Sequence, residues 1–200
     1  EKCLIARRLM YWQVYLHKTV VSAENTLIKI LKRAKQLIQN GTDIFSSSAL
    51  KMFLKNNYTA DNFIKNDDIL EIFSKLDDHD IYSCLKEWAN HDDFILSSLS
   101  IRILNRKPLK IKTQNEKFLE KEINKLKQKV SEKYNISIDD TNYLVFTGKV
   151  SNNAYQYHKT HINILMKNGE IKDITDASDQ FNIDALSKTV NKYFLCYPKM

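Results

Sequence analysis

The sequence predicts an α+β fold: an all-helical first half containing one very long helix, then a small β-α-β-β-β-α-β second half. Three observations carry that prediction. A 3.6-residue apolar period runs over residues 4–39 and returns in shorter segments as far as residue 105. From Pro108 the pattern changes to the strand-like alternation PLKIKT. Only 3 Gly and 2 Pro punctuate the 200 residues, which favours long helices.

In the first helix, Ile5, Leu9, Trp12, Leu16, Val20, Ala23, Leu27, Ile30, Ala34 and Ile38 fall on one face at 100° per residue. The opposite stripe is Arg7, Tyr11, Tyr15, Lys18, Ser22, Asn25 and Lys29. About 36 residues at about 1.5 Å rise make a rod of about 54 Å, long enough to bridge domains or subunits. Asn40-Gly41 is its stop signal. Shorter helices are expected over 47–55, 67–75, 80–89 and 92–105. Each has Asp or Ser at or near its start, where a side-chain oxygen satisfies open backbone N–H groups. The second half then reads as a strand over 108–113, a Lys-rich helix over 116–134 and a strand over 143–150. A hairpin over 161–166 and 170–174 turns at Asn168-Gly169, and a helix over 182–190 and a strand over 192–197 follow. Two domains are expected, 1–107 and 108–200.

A hydrophobic content of 43% with 28% charged residues marks a water-facing globular chain, and no run approaches the ~18 apolar residues of a membrane span. With no signal-peptide pattern and with Cys3, Cys84 and Cys196 widely spaced, free thiols in a reducing cytoplasm are expected. Helical periodicity begins almost at the first residue, which is not Met. That pattern is expected of a piece of a longer chain. The net charge of +7 is unevenly spread. Residues 1–42 carry eight Lys/Arg against two Glu, 66–93 nine Asp/Glu against two Lys, and 101–135 eleven Lys/Arg against four Glu. Acidic and basic segments can dock on each other, or the basic ones can line a site for an anion.

The stretch RRLMYWQVYLHK (7–18) concentrates that choice. Arg offers a planar fork for phosphate, Lys a point charge, and Tyr a hydrogen bond with a stacking surface. A second packing interface for the tyrosines is the plain alternative. Asp77-Asp78-His79-Asp80 and His91-Asp92-Asp93 contain His-Asp pairs, but both stand at helix starts, where Asp is wanted as a cap. His158 and His161 lack a Cys or carboxylate to complete a metal site. No Gly-rich phosphate loop, GxSxG or HExxH occurs. Strands with surface lysines leave open a non-catalytic module that binds nucleic acid or assembles subunits, although no paired strand aromatics of the RNP kind are present.

IARRLMYWQVYLHKTVVSAENTLIKILKRA (5–34) and DDHDIYSCLKEWANHDDFILSSLSIRILNRKPLKI (77–111) resemble the HD-domain dNTP triphosphohydrolases, which include bacterial HD phosphohydrolases and the mammalian SAM-and-HD-domain dNTPase. The resemblance covers about residues 1–112. It implies a metal-dependent, cytoplasmic enzyme that converts dNTPs to deoxynucleoside and triphosphate. A divalent cation (Mg, Mn, Fe or Zn) would be held by a His…His-Asp…Asp set lying upstream of these residues. The 200 residues alone would then be inactive and hold no metal. It assigns Arg7 to substrate phosphate, Tyr15 to the substrate sugar and Tyr11 to a hydrogen bond near the scissile phosphate. It assigns His17, Lys18, Arg106 and Lys110 to an allosteric nucleotide bound between subunits, and it implies a nucleotide-dependent homotetramer with residues 108–200 serving assembly or regulation.

Overall fold

The computed structural model describes residues 2–152, 162–177 and 189–199. The first half is helical: α1 (Lys2–Met10), a π-helical turn (Tyr11–Tyr15), α2 (Lys18–Gln39), α3 (Ser48–Lys55), α4 (Ala60–Lys65), α5 (Asp67–Ser74), α6 (Asp78–Trp88) and α7 (Phe94–Leu104). The second half follows as β1 (Lys110–Gln114), α8 (Glu120–Tyr134), α9 (Thr141–Leu144), β2 (Phe146–Asn152), β3 (Asn163–Leu165), β4 (Ile171–Asp173), α10 (Ile174–Ala177) and β5 (Val190–Tyr197). The α+β class is as the sequence predicts. Among the described residues no helix is long and apolar enough to cross a membrane.

The single long rod is corrected. Leu16 N–H donates to the Tyr11 carbonyl at 2.7 Å, an i→i+5 bond that widens the turn. His17 then leaves the helix (φ −62°, ψ 140°) and caps α2, its Nδ1 accepting from Thr19 N–H at 3.3 Å. A π turn adds a residue and so breaks the 100° phase. The face counted through residues 4–39 therefore does not bury as one: Leu9 is 51% and Val20 37% exposed.

In α2 the buried line is instead Val21, Ser22, Thr26, Ile30 and Ala34. Ser22, placed by periodicity on the outer stripe, is fully buried. Its hydroxyl donates to the Leu109 carbonyl at 2.7 Å, and Thr26 donates to the Ser22 carbonyl at 2.7 Å. Small hydroxyl residues thus let the sheet approach α2 with both of these buried hydroxyls donating.

Ser or Asp caps three of the four helices so read, and α5 is capped by Asn66, whose side chain accepts from Asp68 N–H at 3.0 Å. Ser47 and Asp93 accept from the third residues of α3 and α7. Asp77 opens α6 with a capping box, accepting from His79 and Asp80 N–H while Asp80 accepts from Asp77 N–H. The short α4, unanticipated, starts at a second box built from Thr59 and Asn62. Rings of Phe53, Tyr58, Phe63 and Phe73 pack at 5.5–6.3 Å between centroids and join α3 to α5.

The three-stranded sheet has the order β1-β5-β2, antiparallel throughout, with Ile111 opposite Cys196 and Phe146 opposite Cys196 on the other side. The predicted hairpin is β3–β4, with Gly169 at φ 82° in its turn. Tyr143 and Leu144, expected in a strand, close α9 instead, and β2 begins at Phe146. Of the helix expected over 182–190, residues 182–188 lie outside the described residues, and Val190 opens β5. One hydrophobic core takes Ile30, Ala34, Leu96 and Leu99 from before Pro108 and Leu109, Val130, Leu144 and Leu195 from after it.

Candidate functional site

The α1–π turn–α2 segment positions the site. Arg7 and Tyr11 are one α-helical turn apart, and the guanidinium lies 5.7 Å from the Tyr11 ring centroid. The π turn keeps Tyr15 above Tyr11, with centroids 5.2 Å apart and planes at 51°. A forked cation and two phenols therefore form one cluster. Arg7 and Tyr15 are exposed, and no carboxylate pairs with Arg7 among the described residues. Such a cluster can hold phosphate by charge and a sugar by ring contact.

His17 and Lys18 do not extend that cluster. They line a separate cavity of about 450 Å³ with Trp12, Leu16, Thr113 and Lys192. The break at Leu16-His17 is the physical reason for Lys18, which one continuous helical phase would put on the stripe of Arg7, Tyr11 and Tyr15. Lys192 sits 4.7 Å above the Trp12 ring, a cation–π contact linking β5 to the π turn. Sequence reasoning missed Lys192, whose only signal was its place in a predicted strand. Arg106 and Lys110 are not in this cavity. Arg106 takes a left-handed conformation (φ 54°) between α7 and β1, and Lys110 opens β1 opposite Tyr197, both exposed.

A structural anchor lies further along α2. Arg33 of α2 forks onto Asp93 (2.6 Å) and reaches Asp140 (2.9 Å), while Asp93 also caps α7. Burial acts to raise the Asp93 pKa, but the Arg33 hydrogen bond, the Leu96 N–H and the nearby charge outweigh it and hold the carboxyl below its ordinary value. The arginine itself is raised, chiefly by its bond to Asp93. Burial pushes the Cys196 thiol up to about 12, against a Ser22 hydrogen bond, which makes it an inert core group. Cys3, Cys84 and Cys196 form no disulfide.

No group of three or more His, Cys, Asp or Glu among the described residues could hold a metal. His79 gives its backbone N–H to the α6 cap while its exposed ring pairs only with Asp77, at 3.5 Å, among the described residues, and His91 accepts from Asp93 N–H at 2.9 Å. His158 and His161 lie outside the described residues. The divalent cation implied by the resemblance therefore does not fit the residues described.

No protein-family profile matches the chain. Uncharacterized protein YwfO of Bacillus subtilis (strain 168) is 30% identical over the whole of this chain, which corresponds to 44% of YwfO. A phosphohydrolase from Bacteroides thetaiotaomicron VPI-5482, known from its crystal structure, is 45% identical over 98% of this chain with a TM-score of 0.90. The chain spans about half the length of each, 49% in the second case. By sequence and by fold, the chain is similar to about half of a bacterial phosphohydrolase.

Proposed function

We infer that this chain is the nucleotide-contacting part of a metal-dependent HD-type phosphohydrolase that converts dNTPs to deoxynucleoside and triphosphate. The observation that carries the reading is the cluster of Arg7, Tyr11 and Tyr15: the residues that the resemblance assigns to one substrate stand on one exposed face. Its likeness to the Bacteroides phosphohydrolase supports the reaction class. In the reaction a water oxygen bonds to the α-phosphorus and the bond from phosphorus to the 5′-oxygen breaks. That oxygen takes up a proton as the deoxynucleoside leaves. Arg7 holds the charge growing on the phosphate oxygens, Tyr11 hydrogen-bonds nearby, and Tyr15 packs on the deoxyribose. The cation's ligands belong outside the residues described here, so this chain alone is expected to be inactive. His17, Lys18, Arg106 and Lys110 would serve a nucleotide effector bound between the subunits of a homotetramer.

The test is triphosphate release from dGTP by the whole protein with Mn²⁺ or Mg²⁺, run beside this chain. Release by the whole protein alone is expected. Arg7→Ala should lower kcat by about 100-fold or more with an unchanged circular dichroism spectrum. Normal turnover in that variant would remove Arg7 from the mechanism. No release with any nucleotide would favour a binding or assembly module. Lys18→Ala should weaken nucleotide-dependent assembly in light scattering, and normal assembly would withdraw its effector role.

A further inference from the structure

Between α2, α8 and β2 lies a cavity of about 470 Å³, whose polar lining comes from Lys29, Lys127, Glu120, Asn124, Asn142 and Thr147. It shares no lining residue with the Trp12–Lys18 cavity or with the Arg7 cluster. Lys29 is half-buried, its amine 4.9 Å from the Phe146 ring centroid and 5.9 Å from that of Tyr143. The rings hold the amine in place but do not neutralise it. Among the described residues neither Lys29 nor Lys127 forms an ion pair, and Glu120 pairs with neither. Partly buried charge without a partner is costly, so two such lysines converging on one cavity make it a favourable place for an anion.

We propose that this cavity is a second ligand site, which takes a small phosphate ester with its phosphate between Lys29 and Lys127. Asn124, Asn142 and Thr147 supply neutral donors to the phosphate oxygens. The cavity is of small-ligand size and far larger than a bare phosphate needs. Glu120, on the same wall, would repel a second phosphate but accepts hydrogen bonds from hydroxyl or amino groups. The ligand therefore has one anionic end and one donor-bearing end, as a sugar phosphate or nucleoside monophosphate does. Burial first, then the charges of Lys32 and Lys127, hold the Lys29 amine below its ordinary pKa, and a bound dianion offsets the like-charge part of that shift. The site stands on its own residues and needs no turnover to be detected, so its failure and that of the hydrolase reading are separable.

Isothermal titration calorimetry on this chain, with ribose 5-phosphate and inorganic phosphate as probes, tests it. Ribose 5-phosphate should bind more tightly than inorganic phosphate. Lys29→Gln and Lys127→Gln should each weaken both probes about tenfold, equivalent to about 1.4 kcal/mol. Lys51→Gln, a remote exposed lysine, should leave both unchanged. Glu120→Gln should weaken the ester and spare inorganic phosphate. No heat from either probe at millimolar concentration would overturn the proposal, and so would equal affinity for the two probes or unchanged binding in Lys29→Gln. Lys127 lies on the partly exposed side of α8, so Lys127→Gln reads the same cavity should Lys29→Gln fail to fold.

Discussion

At single residues, charge pairing and close packing decide the outcome. Arg33 is the clearest case, because one guanidinium joins α2, the cap of α7 and α9. The Asp93 carboxyl has its pKa held down in the folded chain. Its contribution is therefore fully present above the unfolded aspartate value, about 3.9, and is lost as pH falls through the lower folded value. Arg33→Gln should cost about 2 kcal/mol at pH 7, the range of a hydrogen bond to a charged group. In urea titrations that deficit should shrink as pH is lowered past 4, and an equal deficit at pH 7 and pH 3 would contradict the pairing. Gly148 is a case of space rather than charge. A Cβ built there would run into the Phe194 ring, which is itself buried. Gly148→Ala should destabilise by about 1–3 kcal/mol, as overpacking does, and a neutral result would mean that the ring can move aside.

For whole elements, the caps and the turn chemistry were the legible part, and their reading can be tested at α6. Asp77→Ala removes two N-terminal bonds and should cost about 1 kcal/mol, whereas His79→Ala, at a side chain 94% exposed, should stay within about 0.5 kcal/mol. A Mn²⁺-dependent gain in stability that His79→Ala abolishes would revive the metal reading. The Asn168-Gly169 hairpin was equally plain, since only a few residue types accept a positive φ at the turn. The break in the first helix was not. Residues 11–17 contain no Gly or Pro, and a histidine is an uncommon cap. The apolar period also runs on across the π turn without any local mark. The strand assigned to 143–150 failed for a related reason. Ser137 and Asp140 close a hydrogen-bonded turn (2.9 Å) that launches α9, so Tyr143 and Leu144 are spent in a helix before β2 starts. The candidate site was half legible. Arg7, Tyr11 and Tyr15 meet by local spacing alone, while Trp12 meets Lys192 only through the tertiary fold, which no periodicity encodes.

Across the whole molecule, the change at Pro108 is one of element type, while the core runs through it. Leu109 and Leu195 share that core with Ile30 and Leu99, and Ser22 donates across the boundary to the Leu109 carbonyl. A second tie runs further. The Asn152 amide at the end of β2 donates at 3.2 Å to the Arg8 carbonyl beside Arg7, with Asn152 only 1% exposed. The sheet thus props the segment that carries the candidate site. Trp88, buried with its indole N–H on the Phe45 carbonyl, reports on the helical half, whereas Trp12 also senses Lys192 of β5. In a Trp12→Phe background the fluorescence therefore follows the helical half, while far-ultraviolet circular dichroism follows the entire chain. If the shared core governs, the two signals should coincide in one urea transition, as in a two-state domain. Residues 1–107 made alone would expose the apolar surface that β1, β5 and α8 cover and should lose that cooperative transition. Two separated midpoints, or a sharp transition in the isolated half, would mean that each half holds a core of its own.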